Sequence, residues 1–216
     1  MKHFRAAVVE WAAAGVGNSE LIVAVRELAT RASLKTAVLV EEVSDQVALE
    51  TLVERRGRNL TAEGTCLVPL GGATSVRRFL RLLGPHGLDV RLAGLCDVAE
   101  ERHFRRGLEC AGLGSDLRPA DLAPLGFFVC VADLEDELIR ALGTEAVENV
   151  IDTGADLKSF RTFQNQPAQR ERTVEQQLHR FLGTISGRKA QYAHRLVDAV
   201  ALDRVPQPLD RLLAYL

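Results

Sequence analysis

The spacing of apolar and polar positions changes along the chain, and the changes predict its elements. In residues 1–33, Phe4, Ala7, Val8, Trp11 and Ala12 recur at helical spacing. After a break at Gly15-Val16-Gly17-Asn18, Leu21, Ile22, Val25, Leu28 and Ala29 repeat the pattern. Side chains one turn apart share a helix face, so two amphipathic helices are predicted, the second capped by Ser19 and ending near Ala32.

From 35 to 142 the pattern alternates. Short continuous apolar runs predict buried strands at Thr36–Val40, Cys66–Leu70, Val90–Cys96 and Phe127–Val131. Helical patterns follow each run, near 45–55 with Ser44 as N-cap, 75–84, 99–111 and 134–142. Strands alternating with helices imply βαβ units and a mainly parallel four-stranded sheet flanked by helices, an α/β fold. Beyond 142 no strand pattern appears. Helices are predicted near 144–152, 155–164, 173–183, 188–200 and 207–215, with the polar, proline-containing stretch 163–170 as a loop. The chain divides accordingly into an N-terminal helical segment (1–34), an α/β core (35–142) and a C-terminal helical region (143–216).

Acidic residues fall just after the predicted strands. The first run ends in Glu41-Glu42 with Asp45 beyond, the third in Asp97 with Glu100 and Glu101 beyond, and the fourth leads to Asp133, Glu135, Asp136 and Glu137. Parallel strands present these ends on one edge, where open α/β sheets bind ligands. Converging carboxylates repel, and a divalent cation offsets the repulsion. Oxygen donors select Mg²⁺ or Mn²⁺, and a pair of such ions ~3.5–4 Å apart supports phosphodiester cleavage. The competing explanation is helical: Asp45, Glu100, Glu101 and Glu135 lie in first turns, where the helix dipole favours acids anyway. Glu41 and Asp97 directly follow strands and escape it.

Composition narrows this picture. A 216-residue chain with 47% hydrophobic residues buries a full core. No run reaches the ~18–20 apolar residues of a membrane span, and the charged N-terminus, with Glu10 interrupting the apolar run after it, does not resemble a leader peptide. A cytoplasmic protein is expected. Cys66, Cys96, Cys110 and Cys130 form no C-x-x-C pair, so reduced, mostly buried thiols are expected rather than zinc ligands. The net charge of −2 argues against a nucleic-acid coating protein. Arginine dominates the cations, in clusters at 55–58, 77–81 and 102–106, read mainly as solvated helix faces. The histidines show no ligand spacing, and no G-x-S-x-G elbow supports a serine triad.

The motifs carry a resemblance. Val38-Leu39-Val40-Glu41-Glu42-Val43-Ser44-Asp45 resembles the first Toprim motif in the form found in OLD-family (overcoming lysogenization defect) nucleases. Leu70-Gly71-Gly72-Ala73 resembles the glycine turn after that family's second strand, and Leu95-Cys96-Asp97 the start of its D-x-D motif. Asp133 to Leu138 resembles the later acidic segment, and Gly187 to Ala193 the C-terminal basic motif. The resemblance spans about residues 36–200 and implies a Toprim-like core. It implies Glu41 as metal ligand and general base, Asp45 on the same ion, and Asp97 on a second. Glu135 then Asp133 come from the later segment, and Lys189 stabilises charge on the scissile phosphate. Gly71, Gly72 and Arg188 would meet phosphate.

Departures from the pattern matter. Glu42 replaces the usual glycine, and Ala99 replaces the second acid of D-x-D, leaving Glu100 or Glu101 as substitutes. OLD proteins carry an ATPase domain, but no G-x-x-x-x-G-K-[ST] loop is present here. The implied function is metal-dependent phosphoryl transfer, foremost DNA endonuclease or nickase activity. The alternatives are a Toprim scaffold binding metal, nucleic acid or a protein partner without turnover, and a nucleotidyl transferase or hydrolase acting on a small nucleotide. A nucleic-acid partner is implied, a separately encoded ATPase and a homodimer stay open, and no membrane association is expected.

Overall fold

The computed structural model describes residues 1–14, 19–183 and 187–216; the Gly15–Asn18 break lies outside them. Two helices come first, α1 (Lys2–Ala14) and α2 (Ser19–Arg31). The alternating region continues as β1 (Thr36–Val40), α3 (Val43–Arg55), a single turn α4 (Leu60–Glu63), β2 (Thr65–Pro69), α5 (Val76–Leu83), β3 (Arg91–Asp97), α6 (Glu101–Cys110), β4 (Phe127–Cys130) and α7 (Leu134–Leu142). The remaining helices are α8 (Thr144–Thr153), α9 (Leu157–Gln164), α10 (Val174–Gly183), α11 (Arg188–Ala199) and α12 (Gln207–Tyr215).

The strands form one sheet in the order β2-β1-β3-β4, every pair parallel. All five residues of β1, a central strand, are buried, which is why its sequence reads as a continuous apolar run rather than an alternating one. Ala37 and Leu39 face a core built with α1, α2, α5 and α6. Val38 and Val40 face the opposite core, with α3 and α7 to α12. Pro69, which cannot donate to a ladder, ends the edge strand β2. Gly94 of β3 is required by close approach: a Cβ there would lie 2.6 Å from the Phe127 ring and 2.8 Å from the Leu39 carbonyl.

Local differences from the sequence pattern have physical causes. Ser44 is not the N-cap of α3. Glu42 is, and the Asp45 carboxylate accepts the Glu42 backbone N–H at 2.8 Å, so the helix starts earlier. Ser44 is instead buried in the first turn. The unexpected α4 is too short for periodicity to reveal. Asn59 caps it by accepting the Ala62 N–H at 3.1 Å, and Gly64 ends it at φ 79°. A 3₁₀ turn at Ala73–Ser75 delays α5.

The C-terminal helices position the site by closing one sheet face. Arg55 of α3 donates to the Val197 and Val200 carbonyls at 2.5 and 2.6 Å, and Thr51 hydrogen-bonds His194 at 2.9 Å. These ties hold α11 along α3 and bring the N-terminal end of α11 to the β1–α3 corner, where Lys189 meets Glu42. Among the described residues no helix is long and apolar enough to cross a membrane. Cys66, Cys96 and Cys130 are buried and Cys110 is exposed, all as free thiols.

Candidate functional site

Because the sheet is parallel, the C-terminal ends of β1 and β3 lie side by side, and their trailing acids meet. Glu41 Oε1 accepts the Asp97 backbone N–H at 2.9 Å. The Gly71-Gly72 turn is tied to the same corner, with the Gly72 N–H donating to the Glu41 carbonyl at 3.2 Å. Both glycines have positive φ, 68° and 118°, which a side chain would resist. Asp133 caps α7 by accepting the Asp136 N–H at 2.9 Å, and Glu135 in the first turn is buried.

The electrostatics of this corner are unfavourable as they stand. Burial, reinforced by Glu41 and Asp45, pushes the Asp97 carboxyl up to about 8. Burial pushes Asp45 up to about 7, against its hydrogen bond from the Glu42 amide and with the help of Glu135 and Glu41. Glu41 and Glu135 are raised too, again chiefly by burial. Lys189 is the compensating cation, with Nζ 3.2 Å from Glu42 and 3.5 Å from Glu135. Burial works against its charge, but Glu135 and Glu42 hold its ammonium well above the usual lysine value. Even so, Glu135 Oε1 is buried and has no hydrogen-bond donor among the described residues.

A cleft of about 700 Å³ opens at this edge. Glu41, Asp97, Ala99, Glu100 and Asp133 line one part, and Arg172, His179 and Arg180 another. Asp45, Glu135 and Lys189 do not line it. Burial would raise Asp133, but His179 and the Asp136 amide outweigh it and hold the carboxyl low. His179 Nε2 donates to Asp133 Oδ2 at 2.5 Å, and this bond holds the imidazole above its ordinary value.

Glu41, Asp45, Asp97, Asp133, Glu135 and Lys189 are thus brought to one corner. Glu100 reaches the cleft and lies 3.5 Å from His103. Glu101 does not line it: it is buried in an ion pair with Arg105, one turn along α6. Arg188 does not line it either. Its side chain is 9% exposed, lies over the Phe181 ring at 4.2 Å, donates to the Phe181 carbonyl and forms an ion pair with Asp156 at 3.7 Å. His179, Arg172 and Arg180 have no signature in the sequence pattern. His179 meets an acid 46 positions away, and no local spacing signals such a contact.

Among the described residues, no three His, Cys, Asp or Glu side chains stand close enough to form a ready metal cage. The donor set nevertheless suits a hard divalent cation. It is all oxygen, several members are raised by burial and mutual repulsion, and one buried carboxylate oxygen is without a donor.

Comparison with known proteins finds similarity in a segment of the sequence and in the fold. Residues 34–98 match the family model described as the TOPRIM domain of overcoming lysogenization defect protein-like proteins. That segment holds Glu41, Asp45 and Asp97. The fold is similar to the C-terminal region of the Xanthomonas campestris pv. campestris OLD protein (TM-score 0.66, 23% identity, 84% of this chain and 91% of that one). It is likewise similar to the C-terminal region of the Burkholderia pseudomallei OLD protein (TM-score 0.63, 20% identity, 84% and 96%). No curated protein sequence matches the chain. Residues 34–98 are therefore similar to the TOPRIM domain of OLD-like proteins, and the chain has an α/β fold like the C-terminal region of OLD proteins.

Proposed function

We propose that this Toprim domain catalyses divalent-metal-dependent phosphoryl transfer and acts on DNA as an endonuclease or nickase. The observation that carries the reading is the convergence of Glu41, Asp45, Asp97 and Glu135 from separate elements onto one strand-end corner, each raised above its ordinary value. A fold spends stability on such repulsion where function requires it.

In this reading Glu41, Asp45, Asp97 and Glu135 would hold Mg²⁺ or Mn²⁺. The ion would supply Lewis-acid activation of the phosphate and of a water molecule. Burial raises Glu41 above the ordinary carboxylate value and so makes it a stronger base, suited to accept a proton from an attacking water. The Asp97 amide fixes the Glu41 carboxylate through Oε1. Lys189 keeps its charge and stabilises the negative charge that develops on the phosphoryl oxygens. Gly71 and Gly72 let the backbone approach the phosphate. Arg172, Arg180 and His179 line the same cleft and give it positive groups for the flanking backbone phosphates. The protein works in the cytoplasm.

Ala99 favours a second reading. It lines the cleft at the position where the family pattern has a carboxylate, next to Glu100. A single-metal scaffold that binds nucleic acid without cutting it is the consequence of that loss. Supercoiled plasmid with Mn²⁺ separates the readings. Nicking that disappears with EDTA and in Glu41→Gln supports catalysis. Metal binding by calorimetry without any nicking supports the scaffold. Equal nicking by wild type and Glu41→Gln defeats the catalytic reading, and release of product from nucleotides but not from plasmid moves the activity to small substrates.

A further inference from the structure

A second cleft, of about 730 Å³, lies between α1, α2 and α5, away from the carboxylates. Trp11, Ile22 and Leu82 supply apolar surface, and Arg26, Arg77, Arg78 and Arg81 supply charge. Among the described residues no Asp or Glu lines it, and the intervening residues 15–18 include no charged residue. Arg78 is engaged in structure, since its guanidinium donates to the Ala12 carbonyl and ties α1 to α5. The other three differ. Some arginines elsewhere, among them Arg58, Arg105, Arg140 and Arg161, meet a carboxylate. The guanidinium groups of Arg26, Arg77 and Arg81 have no ion-pair partner among the described residues. Arg77 and Arg81 are four apart on α5, so their like charges face each other across one turn.

A second feature points to a ligand. Trp11 is 6% exposed, and its indole nitrogen is buried with no acceptor among the described residues. An indole N–H normally finds a partner when buried. Unpaired guanidinium groups in a cleft that is also lined by Trp11, Ile22 and Leu82 match a ligand that is anionic at one end and apolar at the other. The volume falls in the range of small-molecule sites, roughly 300–1,000 Å³.

We propose that this cleft is a second binding site, which takes a small organic phosphate of the nucleoside phosphate class. Its phosphates meet Arg26, Arg77 and Arg81, which suit planar, bidentate phosphate contacts. Its base lies against Trp11 and Leu82. The site does not depend on the strand-end carboxylates or on metal there.

Trp11 is the chain's one tryptophan, so its fluorescence reports on this cleft alone. The experiment titrates ADP into the full chain in EDTA, which keeps divalent ions out of the other site. Adenosine, inorganic phosphate and a single-stranded oligonucleotide are titrated separately. Saturable quenching by ADP, with phosphate competing and adenosine roughly tenfold weaker or worse, is expected. In Arg77→Ala/Arg81→Ala, affinity for ADP falls roughly tenfold or more, with circular dichroism unchanged. Glu41→Gln leaves it intact. Absence of saturable quenching by ADP overturns the proposal, as does equal affinity in the folded double variant. A response to the oligonucleotide without one to ADP also overturns it, in favour of a strand-binding surface. Should the double variant not fold, the single variants Arg26→Gln and Arg81→Gln and the ADP-to-adenosine ratio of the wild type decide.

Discussion

The two clefts have nearly the same volume, about 700 and about 730 Å³, and opposite charge. At the strand ends, acids from β1, β3, α3 and α7 are gathered by sheet topology and partly buried, and burial is the first cause of their raised pKa values. Between α1, α2 and α5, the free arginines stand on exposed helix faces, where solvent screens their repulsion. Gathering like charges is costly only when water is excluded. The strand-end cleft should therefore couple ligand binding to protonation and stability. The arginine cleft should respond to ionic strength.

The sharpest break between the two regions is Glu41→Gln. It should lower Mn²⁺-dependent plasmid nicking by about 100-fold or more, measured as initial rates, while ADP quenching of Trp11 stays at the wild-type value. Coupled loss of both would show one site rather than two. Lys189→Met comes next, with nicking down by roughly 10- to 100-fold. Because it leaves Glu135 buried without its counter-charge, Mg²⁺ should stabilise this variant more than wild type in thermal melts; an unchanged nicking rate removes Lys189 from the reaction.

The pH dependence of stability sharpens the comparison further. Asp45 and Asp97 have folded-state values of about 7 and about 8, above the ordinary 3.8. Groups raised on folding contribute stability that is fully present below their unfolded value and lost as pH rises through the folded one. Metal-free protein should therefore melt at a lower temperature at about pH 9 than at about pH 6, and Mg²⁺ should raise the melting temperature more at the higher pH. Asp97→Asn should flatten that slope, whereas Arg77→Ala/Arg81→Ala should leave it unchanged. The smallest effect on chemistry belongs to Arg188→Ala. Losing its contacts with Phe181 and Asp156 should cost about 1–3 kcal/mol in denaturant unfolding, with nicking by the folded protein within a factor of about two.

Adjacent residues show how far the sequence could be read. Arg188 and Lys189 look alike as a basic pair, yet one is held against Phe181 and the other reaches Glu42 and Glu135. Helix geometry turns neighbouring side chains about 100° apart, and only the packed partners decide what each direction meets. Glu101 and Glu135 are likewise both first-turn acids. The first is neutralised by Arg105, one turn along its own helix. The second is left with a donorless oxygen because α7 buries it at the strand-end corner.

The four strands, the helices after them and the acids at their ends were determined by the sequence alone. Burial on both faces of a parallel sheet imposes continuous apolar runs, and chain order then assigns a helix and a set of acids to the end of each run. The α1–α2 pair was equally legible from its periodicity. Tertiary structure alone decided that β1 and β3 are neighbours, which joins Glu41 to Asp97. It also decided that α10 brings His179 to Asp133, and that α1, α2 and α5 enclose Trp11 among arginines. These are contacts between residues far apart in the chain. They are set by strand order and by how the helices pack on the sheet, which a local pattern does not encode.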